Sequence, residues 1–361
     1  MAATTIASTS PSELSPSHDE RGRRTVARFA WGVLAWNLVV IAWGAFVRAS
    51  GSGAGCGKHW PLCNGEVVPR PQSIATVIEA SHRATSGLAL VLVVAMTILA
   101  FRRLPSGHPS RRAAVASTVF IFGEALIGAA LVLFELVAHD ASLKRGLSMI
   151  LHLGNTFLLL AALVVTAWCA TVPHVKAPAD VRPARETLVR AIAAASLLAL
   201  LVLGASGAIA ALGDTLFPAR SLREGFAQDL SPLAHVFLRL RVMHPFLALA
   251  AGAVVFAASS ATRLLRPSPR VRVLARVATV AFAVQFAAGL LNVTLLAPVP
   301  MQLVHLLLAD VTWLALVLLA WEAVYGEGAR LARGQSPIMS RNGPAPTSDV
   351  PPSTSNVDPV T

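Results

Sequence analysis

Eight apolar stretches carrying almost no charge dominate this chain, near residues 29–47, 77–101, 113–138, 147–170, 190–213, 242–261, 276–297 and 301–323. Each is long enough to cross a hydrocarbon core of about 30 Å at about 1.5 Å per helical residue. A backbone in lipid must satisfy its own hydrogen bonds, so stretches of this kind fold as helices. The rest of the composition agrees. Only 13% of the 361 residues are charged, 55% are hydrophobic, and the mean hydropathy is +0.64. A water-facing surface carries about twice that charge. These values exclude soluble enzyme folds and imply an all-α polytopic membrane protein.

The net charge of +12 does not mark a nucleic-acid face, because the 30 Lys and Arg residues sit in short clusters between apolar stretches. Their distribution instead orients the chain. With a cytoplasmic N-terminus, 20 basic residues fall on the inner side, from Arg21 to Arg28, Arg102 to Arg112, Lys176 to Arg190, Arg263 to Arg276 and Arg330 to Arg341. The other 10 fall outside, so the positive-inside rule places both termini in the cytoplasm. A multi-pass membrane protein is expected.

The flanks differ in composition. Residues 1–27 begin with a Ser, Thr and Pro-rich segment that lacks the apolar core of a signal peptide, and read as a disordered cytoplasmic tail. Residues 326–361 read likewise. Between them, 28–173 and 190–325 form two groups of four spans joined by a cytoplasmic linker at 174–189, with an outer cysteine-bearing loop at 49–76. A faint repeat relates the groups. Gly44-Ala45 corresponds to Gly204-Ala205, Glu124 and Gly128 to Gln285 and Gly289, His82 to His244, and His152 to His305. The expected architecture is therefore two tandem four-helix bundles related by a pseudo-two-fold repeat.

Four of the ten histidines, His82, His152, His244 and His305, lie within spans, each about one turn from the outer end of an even-numbered one. One intramembrane histidine is ordinarily a hydrogen-bonded interior residue. Four at one depth, two per repeat, point to function, because polar groups at membrane depth are retained where they are paired or used. Two imidazoles facing each other across a four-helix bundle are a ligand set for six-coordinate haem iron. Two His alone would leave Zn²⁺ or Cu²⁺ short of ligands.

Glu79 stands three residues before His82, on the same helix face. It is a candidate catalytic carboxylate, the plainer alternative being that it only meets the loop above. The second repeat has Arg241 three residues before His244, an asymmetry that suggests chemistry in one half and cofactor holding in the other. Arg48, Arg83 and Arg239 lie on the outer side as candidate partners for haem propionates, although snorkelling to the interface also accounts for them. Cys56 and Cys63 share one short loop on the oxidising side and read as a disulfide, with a redox-active pair or a transient metal site as alternatives. Cys169 reads as buried packing.

Taken together, Gly44-Ala-Phe-Val-Arg48 with Gly51-Ser-Gly53, the Cys56 to Cys63 loop with Trp60-Pro61, Glu79-Ala-Ser-His82-Arg83 and the other three histidines resemble the haem A synthases of the bacterial membrane and their mitochondrial relatives. The resemblance covers roughly residues 29–323. It implies oxidation of the C8 methyl of haem O to a formyl group, giving haem A for cytochrome oxidase. It further implies haem b held by His244 and His305, and a substrate site made of His82, His152 and Glu79. The paired-cysteine loop points to the bacterial class with an outer-loop disulfide. Haem O synthase and a membrane electron acceptor are the implied partners. Without the resemblance, the residues lead to a bis-His membrane haemoprotein, for which an electron-carrying cytochrome b and a repeat-built transporter are the competing functions.

Overall fold

The computed structural model describes residues 18–70, 73–172 and 183–326. Most of the expected tails and linker lie outside the described residues. Among the described residues there are nine helices: α1 (His18–Ala49), α2 (Ile74–Arg103), α3 (Pro109–Leu133), α4 (Leu143–Thr171), α5 (Pro183–Leu216), α6 (Leu222–Leu230), α7 (Val236–Leu265), α8 (Pro269–Thr294) and α9 (Val299–Tyr325). All but α6 are long and apolar enough to cross a membrane. The chain is a multi-pass, all-helical membrane protein.

Helix starts follow local chemistry. Ser73, Ser142, Ser221 and Ser268 each accept a backbone N–H of the following turn through the side chain, satisfying one of the donors that a helix leaves open at its start. Pro109 and Pro269 occupy the first turns of α3 and α8, where a missing N–H costs nothing. His108 and His235 cap α3 and α7 through Nδ1, which accounts for two histidines outside the candidate site.

Most helices outrun the apolar stretches. Residues 18–27, expected in the tail, belong to α1. Asp19 and Glu20 there face the positive end of the helix dipole, and Arg24 pairs with Glu20 one turn away at 2.5 Å. Arg23 donates to the Thr171 carbonyl at 2.8 Å, covering an open acceptor at the end of α4. Hydropathy marks where lipid begins and not where helical hydrogen bonding stops. The short α6 sits in the connection between α5 and α7, a segment that apolar periodicity alone leaves unassigned.

Helix α1 packs on α2 and α4, α2 on α3, and α3 on α4, which closes a four-helix ring with α2 and α4 on one diagonal. Helices α5, α7, α8 and α9 close a second ring in the same order, with α7 and α9 on the diagonal. Helices α3 and α8 also end alike: the Phe134 N–H reaches the Ala130 and Val132 carbonyls as the Leu295 N–H reaches those of Leu291 and Val293.

The rings meet where α4 touches α5 and α9, and α1 touches α9; α4 and α9 are accordingly the most buried spans. At this seam Trp313 stacks on Phe157 with centroids 4.9 Å apart and donates its indole N–H to the Phe157 carbonyl at 2.7 Å. Trp168 donates to Glu322 at 2.8 Å. Apolar side chains such as Leu126, Phe246, Leu249 and Phe256 point outward, as a lipid-facing surface requires.

Candidate functional site

All four candidate histidines lie toward the end of the molecule that carries the Cys56–Cys63 loop, at the ninth, tenth, ninth and seventh positions of α2, α4, α7 and α9. That is roughly two turns from the helix start, a little less for His305, and deeper than the single turn expected, because the helices extend past the apolar stretches. His82 and His152 stand on the α2–α4 diagonal and His244 and His305 on the α7–α9 diagonal, so each pair faces across the interior of one ring. The members of each pair are within electrostatic range of each other.

Glycines bring these rings close to neighbouring backbones. A Cβ on Gly44 would lie 2.9 Å from His82 Cε1, one on Gly207 3.1 Å from His244 Cε1, and one on Gly289 2.9 Å from His305 Cε1. The structural counterpart of Gly44 is therefore Gly207, one helical turn beyond the Gly204 that sequence comparison selects. Ala205 and Ala208 make the two Gly-Ala steps indistinguishable without the histidine packed against one of them.

The ring nitrogens divide by role. His152 Nδ1 lies 2.9 Å from Glu124 Oε2, and His244 Nδ1 shares a 2.8 Å hydrogen bond with the Ser206 hydroxyl. Both arrangements leave Nε2 for an iron while a neighbour orients the ring, the usual division of labour at a histidine ligand. His305 Nε2 is 3.2 Å from Gln285 Nε2, and the buried Nδ1 atoms of His82 and His305 have no hydrogen-bond partner. Half-buried imidazoles with unused nitrogens, opposed across two rings and given room by glycine, fit two bis-His haem sites.

Glu79 is buried, and both of its oxygens are engaged: Oε2 accepts the Cys56 backbone N–H at 2.8 Å and Oε1 accepts from Arg83 at 2.5 Å. Arg83 also donates to the carbonyls of His59 and Leu62, the latter at 2.5 Å. The carboxylate beside His82 thus holds the loop, and the Cys56–Cys63 disulfide closes that loop. Gly55 permits the loop to lie on the start of α2, since a Cβ there would fall 2.4 Å from the Ala75 carbonyl carbon.

The other outer arginines are similarly occupied. Arg48 donates to the Ala211 carbonyl at 2.8 Å, Thr215 Oγ1 at 2.6 Å and Gln302 Oε1 at 2.8 Å, tying α1 to α5 and α9. Arg239 is exposed and donates to the Pro232 carbonyl. Arg241 binds Asp214 at 2.8 Å and Asp229 of α6 at 2.5 Å.

Glu124 and Gln285 are repeat partners to which the sequence assigns no role, and neither Ser206 nor Asn155 stands out in it. The signal for Glu124 is its charge inside an apolar span. Ser206 carries no such signal, because a hydroxyl in a membrane helix ordinarily bonds its own backbone.

The family model for COX15-CtaA, cytochrome oxidase assembly protein, matches residues 27–317. A protohaem IX farnesyltransferase of Thermus thermophilus is 46% identical over 310 residues, which are 86% of this chain and 50% of that protein. A haem A synthase of Bacillus mycoides is 44% identical over 113 residues, 31% of this chain and 36% of that protein. One from Bacillus cereus is 43% identical over a stretch of the same length. The chain spans about half the length of the first of these relatives. With the family model covering both rings and all four histidines, the chain belongs to the COX15-CtaA family of cytochrome oxidase assembly proteins.

Proposed function

We propose that this protein is a haem A synthase, an oxidoreductase that converts the C8 methyl of haem O to a formyl group. The observation that carries the reading is the pair of His–His diagonals with unlike surroundings. His82 and His152 stand with a carboxylate on each ligand helix or its neighbour, Glu79 and Glu124; His244 and His305 stand with the neutral Ser206 and Gln285. Family membership and partial matches to proteins named haem A synthase support it.

On this reading residues 28–173 form the substrate half, where His82 and His152 would hold haem O. Residues 190–325 form the cofactor half, where His244 and His305 would hold haem b, which when bound would supply one-electron redox chemistry. The work of the chain is to place the substrate. His152 is oriented through Nδ1, His82 is set against Gly44, and the disulfide-closed loop covers that half through Glu79 and Arg83. Turning a methyl into a formyl group with water as the oxygen source releases four electrons, which pass to an electron acceptor, and four protons. Glu79 is the carboxylate on the face of His82 that we assign to stabilise positive charge or accept a proton there.

Haem O synthase is the proposed supplier, since farnesylating protohaem gives the substrate, and a membrane electron acceptor completes the reaction. Both termini are assigned to the cytoplasm of a bacterial cell, with the Cys56–Cys63 loop outside. A periplasmic reporter fused after residue 105 should be inactive and one fused at residue 65 active; the reverse pattern would overturn the topology.

The direct test is expression in a host that makes haem O but no haem A, followed by extraction and mass analysis of the bound haems. Haem A appearing with the wild-type chain and absent with His152→Ala is the expected result. Two tightly held protohaems with no haem O or haem A would identify an electron-carrying cytochrome b instead.

A further inference from the structure

We propose that Glu124 positions His152 and makes the N-terminal histidine pair the more electron-rich of the two, so that a haem held there has a lower reduction potential than one held by His244 and His305. The inference rests on the bis-His reading above.

Glu124 is set from several sides. Its Oε2 lies 2.9 Å from His152 Nδ1, while Oε1 accepts from Asn155 Nδ2 at 2.7 Å and Thr156 Oγ1 at 3.0 Å. Asn155 is itself anchored to the Phe120 carbonyl at 2.9 Å. Gly123 makes room for it, since a Cβ there would stand 2.6 Å from Asn155 Oδ1. The Nδ1–H is not aligned on Oε2 as a hydrogen bond, so the contact is electrostatic as it stands.

The corresponding place in the other ring is built differently. Gln285 replaces the carboxylate with an uncharged amide, and its Oε1 is buried without a partner. Where Asn155 and Thr156 follow His152 by three and four residues, Leu308 and Ala309 follow His305. At that place the C-terminal ring has neither the charge nor the side chains that would hold one; its buried carboxylate, Asp310, stands five residues after His305 on α9. A carboxylate on the far nitrogen of a histidine ligand raises its basicity, which favours the higher oxidation state of the iron, and the low dielectric around it strengthens the effect.

The experiment uses the full chain in nanodiscs, in a His305→Ala background loaded with haem O so that the N-terminal pair is the six-coordinate site. Glu124→Gln, which keeps the shape and removes the charge, should raise the reduced to oxidised ratio at a set potential at least tenfold, about 59 mV for one electron. Glu124→Asp should recover part of the shift, and Asn155→Ala, which loosens Glu124 without deleting it, should move the potential the same way by less. The converse Gln285→Glu, made with His305 intact, should lower the potential at the C-terminal site. Unchanged potentials in Glu124→Gln with haem still bound would overturn the proposal. If Glu124→Gln fails to hold haem, an unmoved potential in both Glu124→Asp and Asn155→Ala does so equally. Retention of the six-coordinate spectrum in His152→Ala would instead refute the ligand assignment beneath it.

Discussion

Glu79 Oε2 accepts the backbone N–H of Cys56 at 2.8 Å, joining α2 to the disulfide-closed loop three residues before His82. Arg241, three residues before His244, does the corresponding job with opposite charge by binding Asp229 of α6 at 2.5 Å. In each ring the residue one turn above the first histidine anchors an outer connection. The sequence asymmetry between Glu79 and Arg241 is therefore first a difference in how two connections are tied down. Any chemistry of Glu79 must work from a carboxylate already holding Cys56 and Arg83.

Glu79→Gln separates these contributions. It removes the charge from a buried pair, and losing one partner of such a pair costs on the order of 3 kcal/mol. The variant should melt at a lower temperature in detergent and accumulate haem O with little haem A. Comparison with Cys63→Ser is decisive, because that change opens the loop and leaves the carboxylate in place. Its stability loss should be about 2 to 3 kcal/mol for a ring this short. Haem A yields that fall equally in both would assign Glu79 to the loop alone.

Gly44→Ala should act on His82 without unfolding the protein. The added methyl meets the end of a side chain and not backbone, so the imidazole can swing away, but it then leaves the position from which it faces His152. Haem binding in the N-terminal ring should weaken about tenfold, as for other changes that misplace a ligand. Gly32→Ala, with nothing within 4 Å, is the control. Equal haem titrations for the two variants would show that the Gly44 contact has no bearing on the site.

Removing either His244 or His305 should abolish the spectrum of a six-coordinate haem b and leave the N-terminal site competent to bind haem. Ser206→Ala keeps the ligand and loses only its orienting bond, so affinity should fall by about 10- to 100-fold. Haem b at full occupancy in both alanine ligand variants would move the cofactor to the other ring.

Arg48→Ala should loosen the joint between rings. Its guanidinium makes three hydrogen bonds to groups on α5 and α9, and a bond to a charged donor contributes about 1.5 to 3 kcal/mol. The loss should appear as a lower melting temperature of the whole protein, with the spectra of the separate sites little altered. A haem-loading defect with unchanged melting would mean that Arg48 serves a ligand and not the seam.

The amino-acid sequence by itself determined the all-helical membrane class and the eight spans, because length, apolarity and the demand for internal hydrogen bonding leave a chain in lipid few alternatives. It also singled out the four histidines as candidates, since each is a polar group at a depth where such groups are costly. What only tertiary structure decided was partnership. Glu79 takes up loop and arginine together, Arg48 crosses to α5 and α9, and Glu124 reaches His152 on a neighbouring helix. Each of these side chains has several neighbours within reach, and sequence spacing ranks only those on its own helix. Gly207 at His244 was settled in the same way, by which backbone the imidazole touches once α5 and α7 have packed.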